Sequence, residues 1–248
     1  MLLQAWMTTR RALSHGGTWT GLVWTIGFGV VLVACLVAAG AHSLLTTMVH
    51  RQIGRATPYA AAGHPFTGLI VIYLVLLGIG PFFIASLYGL YGAAVQDHPI
   101  VWRTFWTMGK KLYGRGWGLY LYILIYVAVL GIILAILAGL LHGVGAVLTL
   151  LAVIASLPWI LRMTGGLFVD QYTWGRSFKS SFRRSHYWSL LASMLLSVLA
   201  YGIILALALL VLHLLGLIGV VLYFALELVL GVAGPVWFFA LYAATRDA

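Results

Sequence analysis

Residues 117–141 read Trp117-Gly118-Leu119-Tyr120-Leu121-Tyr122-Ile123-Leu124-Ile125-Tyr126-Val127-Ala128-Val129-Leu130-Gly131-Ile132-Ile133-Leu134-Ala135-Ile136-Leu137-Ala138-Gly139-Leu140-Leu141, with no charged side chain. A helix needs about 20 apolar residues to cross roughly 30 Å of hydrocarbon, because only internal hydrogen bonds satisfy its backbone there. This stretch is long enough to span. Five further runs meet the same requirement, near 19–42, 67–94, 145–169, 187–212 and 217–243. The predicted fold is an all-α polytopic membrane bundle of about six transmembrane helices. Only His142-Gly143-Val144 separates the third span from the fourth, and Leu214-Leu215-Gly216 the fifth from the sixth. Such short connections make antiparallel hairpins.

Composition agrees. Of 248 residues, 63% are hydrophobic and 7% charged, against roughly 25% charged in soluble domains; mean hydropathy is +1.08. So little charge cannot coat a soluble globule. The net charge of +10, from 14 Lys and Arg against 4 Asp and Glu, would suggest nucleic acid in a soluble protein. Here the cations flank apolar runs, where anionic headgroups meet them, so the expected partners are membrane lipids and not nucleic acid.

The loops orient the chain. Arg10, Arg11, Arg103, Lys110, Lys111, Arg115, Arg176, Lys179, Arg183, Arg184 and Arg246 fall on one side and only Arg51 and Arg55 on the other. The positive-inside bias places both termini in the cytoplasm of a multi-pass protein of the cell membrane. Cys35 closes a lipobox-like run, and Ala39-Gly40-Ala41 resembles a signal-peptidase site. Both follow a leader too long for a secretory signal, so the first span is expected to be retained.

Pro81, Pro158 and Pro235 stand 77 residues apart and then 77 again, each in the second helix of a hairpin. A basic pair precedes each hairpin (Arg10-Arg11, Lys110-Lys111, Arg183-Arg184), and Trp19, Trp117 and Trp188 open the first helices. This pattern predicts one membrane domain of three repeats, approximately 1–97, 98–172 and 173–248, the first carrying an extra loop near 43–66. Val101, Phe105, Met108 and Leu112 share a helical face opposite Arg103, Lys110 and Lys111. Trp174, Phe178, Ser181 and Ser185 do the same against Arg176, Lys179, Arg183 and Arg184. These segments read as amphipathic helices in the headgroup plane or as ordinary positive-inside loops. The prolines read as packed bends or as broken helices around a central site.

Few residues here carry chemistry. Glu227 is the acid near mid-membrane, where a carboxylate must be protonated or paired. Tyr126 and Tyr201 fall at similar depth and are candidate donors to it, making a polar site that locks the bundle or couples an ion. Arg162 lies roughly 18 Å from Glu227 along the normal. It is expected to snorkel to the headgroups or to bind lipid phosphate. Lys110, Lys111, Arg183 and Arg184 are further headgroup contacts. Five of the eight histidines, His42, His50, His64, His142 and His213, fall toward the outer side without the i, i+4 spacing of a helical metal site. One cysteine leaves no disulfide and no cysteine-based metal site. There is no Walker A loop, no Gly-x-Ser-x-Gly elbow and no Asp-rich cluster, so no metal, cofactor or catalytic residue is assigned.

Gly166-Leu167-Phe168-Val169-Asp170, then Trp174, Ser177-Phe178, Ser180-Ser181-Phe182-Arg183-Arg184 and Tyr187-Trp188 resemble bacterial six-helix membrane families of unknown function. Those families are related to the membrane domain attached to some glycerophosphodiester phosphodiesterases. Gly175-Arg176 stands where that signature has Ala-Leu. The resemblance implies a six-helix architecture and a link to envelope or lipid homeostasis, and supplies no catalytic residues. The leading expectation is a non-enzymatic, permease-like or lipid-interacting bundle, compatible with a homo-oligomer. The alternatives are the permease subunit of an ATP-driven exporter, which needs a partner ATPase, and a lipid-modifying enzyme built on Asp97, Asp170 and Arg162.

Reporter fusions check the topology. Fusions after Arg55, His142 and Leu215 should read external, and those after Lys111, Arg184 and Ala248 cytoplasmic. Termini on opposite sides would mean an odd number of spans.

Overall fold

The computed structural model describes residues 1–31, 33–34, 64–141, 143–183, 185–215 and 217–246. Helix α1 covers Leu2–Ser14, and a 3-10 turn, Gly16–Trp19, leads into α2, helical at 20–31. The others are α3 (His64–Val95), α4 (Thr104–Leu141), α5 (Gly143–Phe168), α6 (Trp174–Ser181), α7 (Tyr187–Leu215) and α8 (Leu217–Arg246). Among the described residues there are helices and no strands, and five helices are long and apolar enough to cross a membrane. The predicted span near 19–42 is α2 as far as 31; most of its remainder, with Cys35, His42 and the 43–66 loop carrying Arg51 and Arg55, lies outside the described residues. So do His142, Arg184 and Asp247. α4 ends at Leu141 and α5 begins at Gly143, and α7 ends at Leu215 and α8 begins at Leu217, which agrees with the short connections expected.

One expectation is corrected by length. The basic segment before the third span does not form its own in-plane helix. It is the start of α4, which runs unbroken for 38 residues, about 57 Å at 1.5 Å per residue. That exceeds the hydrocarbon thickness, so the first turns, with Lys110, Lys111 and Arg115, extend beyond it. Val101 precedes the helix and is 60% exposed, whereas Phe105 and Leu112 are buried as their periodicity predicts.

The second correction concerns which face packs. In α6, Ser177 and Ser181 are buried, while Trp174 and Phe178, which share a face with Ser181 in the sequence reading, are exposed and stacked on each other at 5.6 Å. α1 follows the same rule: Ala5, Thr9 and Ala12 are buried, and Leu3, Trp6 and Met7 are exposed. Where lipid replaces water, apolar bulk gains nothing by turning inward, and small residues let backbones approach.

The core lies at one end, the end carrying the basic residues. Tyr91, Phe105, Leu112, Met163, Leu167, Leu190, Val236 and Leu241 are buried there. At the opposite end Ile125, Val127, Val147, Leu150, Leu207 and Val221 are more than half exposed or nearly so. The proline-bearing helices α3, α5 and α8 pack on one another pairwise, with Pro81 and Pro158 buried and Pro235 half-buried. Around them α1 packs on α8, the start of α4 on α3, and α6 on α5. Aromatic rings dock α2: Trp24 stacks on Phe105 at 4.4 Å and on Trp102 at 4.7 Å, and Phe28 on Phe83 at 4.2 Å.

Glycine makes the α3–α4 and α3–α5 approaches possible. A Cβ on Gly116 would stand 2.2 Å from the Pro81 carbonyl oxygen, and one on Gly92 2.3 Å from that of Phe168. Both contacts are with backbone and cannot yield. Gly92→Ala and Gly116→Ala should therefore each destabilise by about 1–3 kcal/mol, read as a lower melting temperature in detergent. Gly131→Ala, with nothing within 4 Å, should be neutral. Equal effects at all three positions would contradict the packing described.

Candidate functional site

Hydrogen bonds and ion pairs join the ends of four helices at the basic end. Asp97 follows α3 with a left-handed backbone, φ 56°. The His98 N–H donates to the Ala93 carbonyl at 3.0 Å, the 6→1 bond of a Schellman cap. That turn aims the Asp97 carboxylate at Arg11 of α1, which donates to it, with His15 3.8 Å away. One residue earlier, Gln96 Nε2 donates to the Val169 carbonyl at 2.6 Å, tying the end of α3 to the end of α5. Asp170 then accepts from Arg246 at 2.7 Å and from the Tyr242 hydroxyl, both on α8. The Asp170 side chain is 4% exposed and that of Asp97 42%. The first is a desolvated, doubly bonded carboxylate, and the second a solvated pair of small energetic weight.

The predicted mid-membrane site is arranged differently from the expectation. Glu227 is half-buried, and its Oε1 accepts from Tyr223 at 2.8 Å, one turn earlier on α8. Tyr126 instead shares a hydrogen bond with Ser156 of α5. Tyr201 is 40% exposed. The i, i+4 spacing of Tyr223 and Glu227 was the available signal, since such side chains are neighbours on a helix.

Arg162 does not snorkel. It is 6% exposed, its Nη2 donates to the Ser185 carbonyl, and its Nη1 has no acceptor among the described residues. Asp97 and Asp170 pair with Arg11 and Arg246 instead of meeting at Arg162. Among the described residues no three His, Cys, Asp or Glu form a metal-binding group.

Lys110 and Lys111 are exposed on α4, and Arg183 beyond α6 is exposed as well. With Arg103, Trp106 and Thr107 the two lysines line a groove of about 630 Å³. A second groove of about 510 Å³ adjoins it, sharing Trp106 and Lys110 and floored by Gly78, Ile79, Phe82 and Tyr113. One edge is cationic and the other apolar and aromatic. No carboxylate pairs with Arg103, Lys110 or Lys111 among the described residues. The sequence reading placed Arg103 on the polar face with the two lysines, and it assigned Trp106, Thr107, Phe82 and Tyr113 to no site.

No family model, curated protein or solved structure matches the chain.

The two carboxylate pairs should behave unequally. Asp170→Asn should lower stability by about 1–3 kcal/mol, as loss of a buried charged hydrogen bond does. Asp97→Asn should cost under about 1 kcal/mol. Thermal unfolding of both variants in one detergent is the check, and the reverse order would contradict the burial difference.

Proposed function

We propose that this chain is a non-enzymatic, multi-pass protein of the bacterial inner membrane that binds anionic phospholipid at its basic, cytoplasmic end. The observation that carries the reading is a pair of adjoining grooves, one along the start of α4 and the other between α3 and α4. Arg103, Lys110 and Lys111 offer charge to a headgroup, and Ile79, Phe82, Trp106 and Tyr113 offer an apolar wall to an acyl chain. Cations near an anionic leaflet gain about 1 kcal/mol each. Trp and Tyr favour the same depth because one end of the ring is apolar and the other polar. The groove cations have no internal carboxylate partner among the described residues, which leaves them available to lipid.

Three hairpins fit this reading. The proline helices α3, α5 and α8 pack pairwise, each with a basic segment laid against it. The resemblance over 165–190 points the same way, toward envelope or lipid homeostasis. A second reading, the permease subunit of an ATP-driven exporter, draws on α6, a short separate helix between two spans that could dock a partner ATPase. Co-purification of an ATPase would favour it.

Native mass spectrometry of the purified protein tests the lipid reading. Wild-type protein should retain phosphatidylglycerol in preference to phosphatidylcholine from an equal mixture. The Lys110→Gln, Lys111→Gln double variant should lose most of that preference while staying folded, since both side chains are exposed. No preference in the wild type, or one unchanged in the variant, would sink the proposal.

A further inference from the structure

Arg162 is the buried cation of the described residues, and no described carboxylate pairs with it. The described carboxylates are engaged elsewhere: Asp97 with Arg11, Asp170 with Arg246 and Tyr242, and Glu227 with Tyr223. One backbone carbonyl, that of Ser185, accepts from Nη2, and Nη1 is buried without an acceptor among the described residues. A guanidinium in that position is strongly unfavourable until an anion reaches it. Arg183 lies within electrostatic range and adds a second positive charge.

The element that meets Arg162 also favours an anion. Ser185 stands two residues before α7, which begins at Tyr187 with no acidic residue in its first turn. The Leu190 N–H is the donor to the His186 carbonyl. The amides of Tyr187, Trp188 and Ser189 are therefore the first-turn donors that a helix leaves without internal partners. A helix N-terminus with an arginine fork beside it suits a phosphate group, which accepts several charge-assisted hydrogen bonds at once.

We infer that Arg162, Arg183 and the first turn of α7 form an anion site that takes a phosphate group. The site lies between α5 and α7, separate from the α3–α4 groove, and stands without it. Arg183, Ser185 and His186 are exposed at its edge. Trp159, Phe182 and Trp188 are exposed beside it at 36%, 49% and 77%, as aromatic residues are at headgroup level. The phosphate is either that of a lipid headgroup or free inorganic phosphate.

The experiment is thermal unfolding of the full chain in neutral detergent. It is titrated with dihexanoyl phosphatidic acid, with inorganic phosphate, and with dihexanoylglycerol as the phosphate-free control. Stabilisation by phosphatidic acid alone identifies a lipid headgroup, and stabilisation by both phosphates a free phosphate; either supports the site. Arg183→Gln, at an exposed position, and Arg162→Lys, which keeps the charge and loses the fork, should each weaken the apparent affinity about tenfold. If Arg162→Lys does not fold, Arg183→Gln decides alone. The inference is overturned if neither phosphate stabilises beyond the control. It is also overturned if the folded arginine variants respond as the wild type does, or if the response disappears instead in the Lys110→Gln, Lys111→Gln variant.

Discussion

Fourteen Lys and Arg share four Asp and Glu, and the described structure places three of those four acids. Asp97 and Asp170 hold helix ends together, and Glu227 bonds within its own helix. Most of the positive charge therefore has no internal answer, and it is concentrated at one end of an otherwise apolar bundle. In water such an excess would aid solubility and attract nucleic acid. Beside a bilayer it selects which leaflet the end faces and draws anionic headgroups to it. The groove cations and Arg162 are two consequences of this deficit. At the groove the charge is exposed and shallow; at Arg162 it is buried and held beside a helix terminus.

The same end carries the tertiary structure. Arg11 to Asp97, Gln96 to Val169 and Asp170 to Arg246 link α1, α3, α5 and α8 in sequence, and the buried core lies directly beneath them. Toward the other end the helices expose apolar faces all round, as lipid-solvated helices do. A buried polar link is strong because it is shielded from water. Asp170 at 4% exposure is thus the firmest of these ties and Asp97 at 42% the most dispensable.

Span positions and hairpin turns were legible in the sequence because they depend on one-dimensional quantities, apolar length and the brevity of a connection. The packing faces were not. Trp174, Phe178 and Ser181 were read as one face, whereas the structure separates them, and in lipid the informative pattern is small residues four apart, as at Ala5 and Thr9 or Ser177 and Ser181. Tyr126 was assigned to Glu227 on depth alone, but depth does not set rotation about the helix axis, and Tyr126 turns to Ser156. Burial of Arg162 was equally hidden, since it depends on how the chain before α7 folds back over α5. The acceptor there is a backbone carbonyl, which no side-chain pattern reveals.

The central claim is that anionic lipid completes the charge balance of the basic end. Melting temperature measured in nanodiscs of increasing phosphatidylglycerol fraction, at low and at high salt, tests it most directly. The account predicts a melting temperature that climbs with anionic lipid and a climb that shrinks as salt screens the exposed cations. A melting temperature indifferent to lipid charge at low salt would contradict it.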